Sequence, residues 1–204
     1  MRPISTGNMS RARTAPGRRN AVRIIGGAWR RRLIRFPDLA DLRPTPDRVR
    51  ETLFNWLGQD LTGLRCLDLF AGSGALGFEA ASRGASQVVM VEPDGKAHAA
   101  LVENARALDA ANLRVEKADA LEFLARRGSQ SGEERFDVIF LDPPFRRGID
   151  QDLLARVGER LADGGLVYVE SDRTFAGAAG WETHRQARAG NVHYRLLKRE
   201  RESQ

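Results

Sequence analysis

The chain has 204 residues, of which 42% are hydrophobic and 29% are charged, and this composition suits one globular domain. No apolar stretch approaches the roughly 20 residues that a membrane-spanning helix needs, and the single cysteine, Cys66, excludes an intramolecular disulfide. The formal net charge of +6 favours a polyanionic partner, although an arginine-rich proteome would produce the same balance.

The N-terminal segment is basic and poor in apolar residues. No Asp or Glu precedes Asp38, and residues 1–20 combine arginines with Ser, Thr, Gly and Pro. This composition predicts a disordered basic tail over residues 1–21. Three interpretations of the tail stay open: an arm that binds nucleic acid, an over-long start site, and an organellar transit peptide, for which amphipathic periodicity is lacking.

Residues 22–62 predict a small β/α element ahead of the main domain. The stretch VRIIGGAWRRRLIRF indicates a short strand or hairpin that bends at Gly26 and Gly27 and exposes residues 30–32. The stretch LRPTPDRVRETLFNWL indicates a helix, with Thr45 as the N-cap and Pro46 in the first helical position.

Strands and helices alternate from Leu64 onward. The predicted strands are RCLDLFAG, QVVMVEP, LRVEKAD, FDVIFLDPP and LVYVESD, and the helix before the last of them is expected to end near Gly164 and Gly165. WETHRQAR and VHYRLLKRE then predict a closing hairpin. Such alternation predicts a parallel sheet covered by helices on both faces. The fold class is therefore α/β, with the Rossmann-like layout of class I methyltransferases over residues 63–200: a mostly parallel sheet that ends in an antiparallel hairpin.

The stretch LDLFAGSGALG indicates a ligand-binding glycine loop. Gly72, Gly74 and Gly77 stand between a strand and a helix and match G-x-G-x-x-G, a pattern that dinucleotide and S-adenosylmethionine (SAM) sites share. Asp68, inside the preceding strand, favours SAM, because a carboxylate attracts its ammonium group and repels a pyrophosphate. The alternative role for Asp68 is that of a hydrogen-bonded polar residue beside a helix N-terminus.

Polar residues at the ends of the next strands complete a predicted SAM site. Glu92 stands where a ribose diol is bound, and Asp119 with the backbone of Ala120 stands where an adenine ring can be read. Ligands of open α/β sheets bind outside the carboxyl ends of the strands, where these residues are expected to meet. The predicted cofactor residues are Asp68, Phe70, Gly72, Gly74, Glu92, Asp119 and Ala120.

The strand FDVIFL ends in DPPF, which suits catalysis at an exocyclic amino group. The Asp142 carboxylate and the Pro143 carbonyl can accept hydrogen bonds from the two N–H groups of the amine, so that its lone pair faces a methyl donor. Pro144 stiffens the backbone, and the Phe145 ring can stack on a base turned out of its helix. Asp-Pro-Pro alone is common in loops, but here it follows a glycine loop. The motif resembles the signature of methyltransferases that act on adenine N6, cytosine N4, guanine N2 and glutamine.

Together the chain resembles the bacterial 16S ribosomal RNA guanine-N2 methyltransferases (RsmD type) over about Val22 to Glu200. The most specific parts are RIIGGAWRRR and LRPTPDRVRETLFNWL, which precede LDLFAGSGALGFEAASRGA and DPPF as they do in that family. The resemblance implies SAM-dependent methylation of one guanine N2 in 16S rRNA, within the small ribosomal subunit, by a cytoplasmic monomer. The tail before Val22 departs from the family pattern. The histidines lack ligand spacing, so no metal is predicted.

If the partner is RNA, the basic residues of the N-terminal element are expected to contact its phosphates. Each of them could equally be a solvated surface charge. The predicted RNA-binding residues are Arg30, Arg31, Arg32, Arg43, Arg48 and Arg50. One alternative function is an N6-adenine or N4-cytosine DNA methyltransferase, which would usually carry a separate target-recognition domain. The other is a non-catalytic RNA-binding assembly protein on a methyltransferase fold, against which the intact acidic residues argue.

Overall fold

The structure is a computed structural model that describes residues 20–39, 42–126, 134–144, 148–171 and 179–200. Residues 1–19 of the predicted tail and the predicted catalytic residue Phe145 lie outside these ranges. The strands are β1 (Ala21–Arg23), β2 (Leu33–Arg35), β3 (Arg65–Asp68), β4 (Gln87–Val91), β5 (Leu113–Glu116), β6 (Phe136–Leu141), β7 (Leu161–Ser171), β8 (Trp181–Ala189) and β9 (Val192–Arg199). The helices are α1 (Asp47–Leu57), α2 (Ala75–Ser82), α3 (Gly95–Ala107), α4 (Ala120–Ala125) and α5 (Gln151–Arg160).

A seven-stranded sheet forms the centre of the molecule, in the order β5-β4-β3-β6-β7-β9-β8. The strands from β5 to β7 in this order pair in parallel, and β9 pairs antiparallel with both β7 and β8. Apolar side chains alternate between two clusters, one on each face of the sheet. The predicted α/β fold with a terminal antiparallel hairpin is therefore confirmed.

Two predicted boundaries are wrong. Helix α5 ends at Arg160 rather than near Gly164, because Leu161 is buried and pairs with Phe136 as the first residue of β7. Helix α1 begins at Asp47, and Pro46 precedes it in an extended conformation. The predicted N-cap Thr45 makes no capping hydrogen bond, since its hydroxyl donates to Asp142 instead.

The N-terminal element shares the core of the sheet rather than forming one of its own. Strands β1 and β2 form the predicted hairpin as a separate two-stranded sheet. Its buried Ile24 and Ile34, together with Leu53 and Phe54 of α1, join the same apolar cluster as Phe140 of β6. The hydrophobic effect therefore holds the element on one face of the central sheet.

A buried carboxylate on α2 fixes how the element docks. Glu79 is fully buried and accepts hydrogen bonds from the backbone N–H groups of Ile25 (2.8 Å) and Gly26 (2.7 Å). It also pairs with the guanidinium groups of Arg83 (2.8 Å) and Arg50 (3.4 Å). A buried charge is tolerated when it is paired and hydrogen-bonded in this way.

The prediction that Arg50 binds RNA is wrong. Its side chain is fully buried, and it donates to the carbonyls of Thr45 and Arg23 besides pairing with Glu79 and Asp47. Because its donors face protein acceptors inside the core, the guanidinium cannot reach a phosphate. Arg50 instead ties α1 to the hairpin and to α2.

A second polar contact holds the hairpin on α3. The backbone N–H of Arg35 donates to the Asn104 side chain (3.0 Å), whose amide donates back to the Arg35 carbonyl (2.7 Å). On α2, the Ser82 hydroxyl accepts from the backbone of Trp29 and donates to that of Gly26. Side chains of the main domain thus form hydrogen bonds with backbone N–H and C=O groups of the small hairpin.

Replacing Glu79 with Gln should destabilise the protein by about 3–5 kcal/mol, because the buried Arg83 would lose its counter-charge and the buried Arg50 would keep only that of the exposed Asp47. The matched control is Asp47→Asn, since Asp47 pairs with the same Arg50 but its side chain is 62% exposed. The control should cost no more than about 1 kcal/mol. Urea unfolding measures both changes, and equal losses would show that the buried pairs do not carry the docking.

Candidate active site

Acidic side chains collect at the carboxyl edge of the parallel strands, where ligands of open α/β sheets bind. Asp68 is the last residue of β3, Glu92 follows β4, and Asp142 follows β6. Asp119 lies three residues beyond β5, and Glu170 is the penultimate residue of β7. Since these strands are neighbours in the sheet, one edge carries the whole predicted acidic set together with Glu170.

The glycine loop between β3 and α2 needs its glycines for two different reasons. Gly74 has a φ of 79°, in the left-handed region, and a Cβ there would lie 2.6 Å from Leu101 Cδ2. At Gly77 a Cβ would lie 2.6 Å from Met90 Cγ. At Gly72 a Cβ would make only ordinary contacts, 3.9 Å from Leu42 Cγ and the Phe70 carbonyl oxygen, but the φ of 50° also lies in the left-handed region. The loop is therefore tightly packed at Gly74 and Gly77 and less crowded at Gly72.

Asp68 fixes the end of the glycine loop through a hydrogen bond to the start of α2. It is only 2% exposed, and its Oδ2 accepts a hydrogen bond of 2.9 Å from the Gly77 N–H in the first turn of α2. Burial raises the pKa of the Asp68 carboxyl to about 7, and the hydrogen bond from Gly77 opposes this change. The geometry supports the alternative role for Asp68, that of a residue that anchors a helix N-terminus.

Glu92 joins the glycine loop to α3. Its Oε2 accepts from the Gly72 N–H (2.9 Å), and its Oε1 accepts from the Asp94 N–H (2.8 Å). Each oxygen of a carboxylate has a second acceptor site, so Glu92 can still accept hydrogen bonds from hydroxyl groups of a ligand. Burial raises the pKa of this carboxyl as well.

Asp119 caps helix α4. Its Oδ1 accepts from the Leu121 N–H (2.8 Å), and Ala120 is the buried first residue of the helix. Phe70, in the turn after β3, is half-buried against the apolar cluster on the far face of the sheet. The structure thus brings the predicted cofactor residues to the same edge.

Asp142 receives a contact that the sequence did not indicate. The Thr45 hydroxyl donates to Asp142 Oδ2 over 3.2 Å, and Thr45 itself is only 5% exposed. Burial raises the pKa of the Asp142 carboxyl to about 6, and the Thr45 hydrogen bond opposes this rise. Pro143 is buried and Pro144 is exposed. The N-terminal element therefore reaches the predicted catalytic carboxylate directly.

The segment that leads into α1 covers the site. Leu42 at its start lies 3.9 Å from where a Cβ of Gly72 would be, and Thr45 near its end contacts Asp142. The segment thus passes over the glycine loop and the Asp-Pro-Pro turn. The exposed Arg43 lies on it, between these two contacts. Both contacts come from residues that precede the helix.

Glu170 is a site residue that the sequence analysis missed. It is 6% exposed, and its Oε2 accepts a hydrogen bond of 2.9 Å from the Tyr168 hydroxyl. Burial raises the pKa of the Glu170 carboxyl, and the nearby Asp142 raises it further. The strand LVYVES carried the signal, because it ends in an acid on the same edge as the other strands.

The remaining predicted RNA-binding residues lie on the surface of the N-terminal element. Arg30, Arg31, Arg32 and Arg48 are exposed, like Arg43. Arg32 also donates to the Ala107 carbonyl (3.2 Å) at the end of α3. Across the ranges that the structure describes, no cluster of three or more acidic, His or Cys side chains is placed to hold a metal. No helix in those ranges is long and apolar enough to cross a membrane.

The strand order, the glycine loop after β3 and the Asp-Pro-Pro turn after β6 define a class I methyltransferase fold. A family model described as Conserved hypothetical protein 95 matches residues 22–198. Ribosomal RNA small subunit methyltransferase D of Escherichia coli strain K12 is 45% identical over 184 residues, covering 88% of this chain and 90% of that protein. The chain belongs to this methyltransferase D family.

Solved structures agree with this assignment. The structure of yhhF from Escherichia coli is 43% identical, has a TM-score of 0.77 and covers 88% of this chain and 98% of its own. A more distant protein, solved in complex with SAH, is 18% identical with a TM-score of 0.60 and covers 78% of this chain and 50% of its own. That second likeness shows the fold alone.

Replacing Thr45 with Val should raise the pKa of Asp142 further, because the lost hydroxyl stabilises the ionised carboxylate. A carbon-13 NMR titration of the side-chain carboxyl measures this directly. Since the folded-state pKa lies above the unfolded value, the contribution of Asp142 to stability is present at low pH and lost as pH rises through about 6. That loss should be larger in the variant.

The matched control for this titration is Thr52→Val, because the Thr52 hydroxyl donates to the Arg48 carbonyl within α1 and not to Asp142. The control should leave the pKa of Asp142 where it is. An unchanged pKa in Thr45→Val would mean that the contact between the covering segment and Asp142 is not made in solution.

Proposed function

We propose that this protein methylates the exocyclic N2 amine of a guanine in small-subunit ribosomal RNA, with SAM as the methyl donor. The observation that carries the proposal is the Asp142 carboxylate, which follows β6, precedes Pro143 and accepts a hydrogen bond from Thr45 on the same edge as the glycine loop and Glu92. The relatives are named as small-subunit rRNA methyltransferases, and these names support small-subunit rRNA as the substrate.

The residues present fit SAM. The lack of a side chain at Gly72 lets a ligand approach the loop backbone, and the Glu92 carboxylate keeps acceptor capacity for ribose hydroxyls. Asp119 and Ala120 stand at the far end of the edge for the adenine. Asp68 acts by holding the loop in shape rather than by direct contact. When bound, SAM supplies an electrophilic methyl group on a positively charged sulfur.

The chemistry of the amine follows from two acceptors on a stiff backbone. The nitrogen lone pair of a guanine amine is conjugated into the ring and is a poor nucleophile. Hydrogen bonds to the Asp142 carboxylate and the Pro143 carbonyl favour a pyramidal nitrogen whose lone pair points away from both acceptors. The prolines keep the carbonyl aimed, which is catalysis by orientation. Phe145, outside the described residues, would stack on the base that has been turned into the site.

The same observations bear on the two rival functions. A sequence-reading DNA methyltransferase is disfavoured, because the relatives of high identity are named as small-subunit rRNA methyltransferases. A non-catalytic assembly protein would have no need of Asp142 and Glu92 held in place by hydrogen bonds. The proposal also takes the assembled small subunit as substrate and a cytoplasmic monomer as the acting form, as the family resemblance implies.

The Asp142→Ala variant tests the reaction. In cells that lack the gene, mass-spectrometric mapping should show the loss of one N2-methylguanine in small-subunit rRNA. The wild-type gene should restore it, and the Asp142→Ala gene should not. The purified variant should bind SAM nearly as well as wild type but turn over at least ~10²-fold more slowly, the scale of a lost positioned acceptor.

The comparison variant is Asp119→Ala. Calorimetry should show that it weakens the binding of SAM more than the binding of RNA. Equal turnover of Asp142→Ala and wild type would remove the assigned role of the Asp-Pro-Pro turn. An unaltered set of rRNA modifications in the gene-deleted cells would contradict the proposed substrate.

The second test concerns Arg30, Arg31 and Arg32. If they contact phosphates, replacing all three with Ala should weaken RNA binding and lower the slope of log K against log salt by up to about 0.7–0.9 per lost contact. The loss should be the same with or without the target guanine, since phosphate contacts position the RNA without reading its sequence. Affinity for SAM should stay unchanged.

A triple Ala variant of exposed arginines elsewhere provides the control for this measurement. Arg114 on β5, Arg126 after α4 and Arg156 on α5 make ion pairs with neighbouring acids and lie outside the N-terminal element. Their replacement should leave the salt slope near the wild-type value. If the control lowers the slope as much as the test variant does, the RNA surface lies elsewhere.

A further inference from the structure

Glu170 is a buried acid beside the reacting centre that the proposed mechanism does not use. Strands β6 and β7 pair in parallel with Phe140 opposite Tyr168 and Leu141 opposite Val169, so Asp142 and Glu170 come next on adjacent strands. Backbones of neighbouring strands lie about 4.8 Å apart. Side chains alternate along a strand, which places both carboxyls on the face that the covering segment overlies.

The contacts of the two carboxyls confirm that they share this face. Asp142 accepts from the hydroxyl of Thr45, which belongs to the covering segment, and Glu170 accepts from the hydroxyl of Tyr168. Tyr168 is fully buried in the apolar cluster beneath that segment. The two carboxyls therefore lie side by side at the end of the sheet, on the face that residues 42–46 overlie.

The carboxyls of Asp142 and Glu170 together offer several hydrogen-bond acceptors. Among the described residues, no Lys, Arg or His lies within salt-bridge distance of either carboxyl, and the donors to them are the two hydroxyls. Burial and the charge of Asp142 both raise the pKa of Glu170, as expected for like charges held together away from water. A ligand that brings an N–H donor to each carboxyl would favour the ionised form of both.

We infer that Glu170 is a specificity-determining residue that accepts a hydrogen bond from the N1–H of the target guanine, beside the amine held by Asp142. The inference rests on the proposed function. Of the bases that carry an exocyclic amine, neutral guanine alone has a ring N–H next to it. The ring nitrogen beside the amine is an acceptor in adenine and cytosine, and a carboxylate would repel it. A pair of neighbouring carboxylates therefore matches the donor edge of guanine.

The base 2-aminopurine separates the two contacts, because it keeps the 2-amino group of guanine but has an unprotonated N1. A site built around a hydrogen bond strongly rejects an analogue that lacks the donor, since its own buried acceptor is then left unpaired. We expect wild-type enzyme to methylate rRNA with 2-aminopurine at the target position with a kcat/KM at least ~10²-fold below that for guanine.

The Glu170→Gln variant should reduce this discrimination at least ~10-fold, because its amide can donate to the unprotonated N1. Gln keeps the size of the side chain and an acceptor for the Tyr168 hydroxyl, so the fold should persist. A merely structural role for Glu170 would lower kcat/KM for both substrates equally and leave their ratio unchanged. That result would overturn the inference.

Two controls separate this effect from others. Glu159→Gln, an exposed change on α5, should leave the ratio of guanine to 2-aminopurine at its wild-type value. Asp142→Asn should slow both substrates alike, because both carry the amine. A Glu159→Gln ratio that fell as far as that of Glu170→Gln would overturn the assignment to Glu170.

The wild-type enzyme alone already decides the question if the Glu170→Gln variant does not fold. Equal rates of the wild type on guanine and 2-aminopurine would show that N1–H is not read, and the inference would fall while the proposed function stood. No methylation of the guanine amine by the wild type would instead mean that the proposed function itself is wrong.

Discussion

The arrangement of the site depends on one buried carboxylate that lies outside it. Glu79 binds the hairpin backbone at Ile25 and Gly26 and pairs with Arg50 of α1, so both parts of the N-terminal element are held by one side chain of α2. Replacing a buried ion network with apolar residues often costs little stability. Apolar residues, however, would not fix the orientation of the element. The Glu79 carboxylate accepts hydrogen bonds in defined directions, and it therefore determines where the hairpin lies and how α1 is oriented.

That orientation is transmitted to the catalytic edge through the main chain. Arg50 donates to the Thr45 carbonyl as well as pairing with Glu79, and the Thr45 hydroxyl then meets Asp142. A chain of polar contacts thus runs from α2 to the end of β6, over the apolar cluster that fixes Phe54. The N-terminal element is therefore part of the active site as well as a surface for RNA in the proposed function.

The sequence predicted what depends on local pattern and failed where tertiary contacts decide. Alternating strands and helices predicted the sheet, and the strand-end rule brought Glu92, Asp119 and Asp142 to one edge. Thr45 matched a helix cap by position, but the Asp142 carboxylate, distant in sequence, competes for its hydroxyl. Arg50 matched a basic surface patch, because no local signal marks the charge of Glu79 as its partner.

The distribution of charge suggests how a basic protein can hold an acidic site. The chain carries a net charge of +6, yet the edge of the sheet holds Asp68, Glu92, Asp119, Asp142 and Glu170. In the proposed function, phosphates are attracted to arginines on the surface and repelled by this edge. A base is neutral and presents N–H donors, so it can enter the acidic site, from which the phosphates of the RNA backbone are repelled. Such an arrangement favours a nucleotide turned out of the helix over an RNA strand that lies across the site.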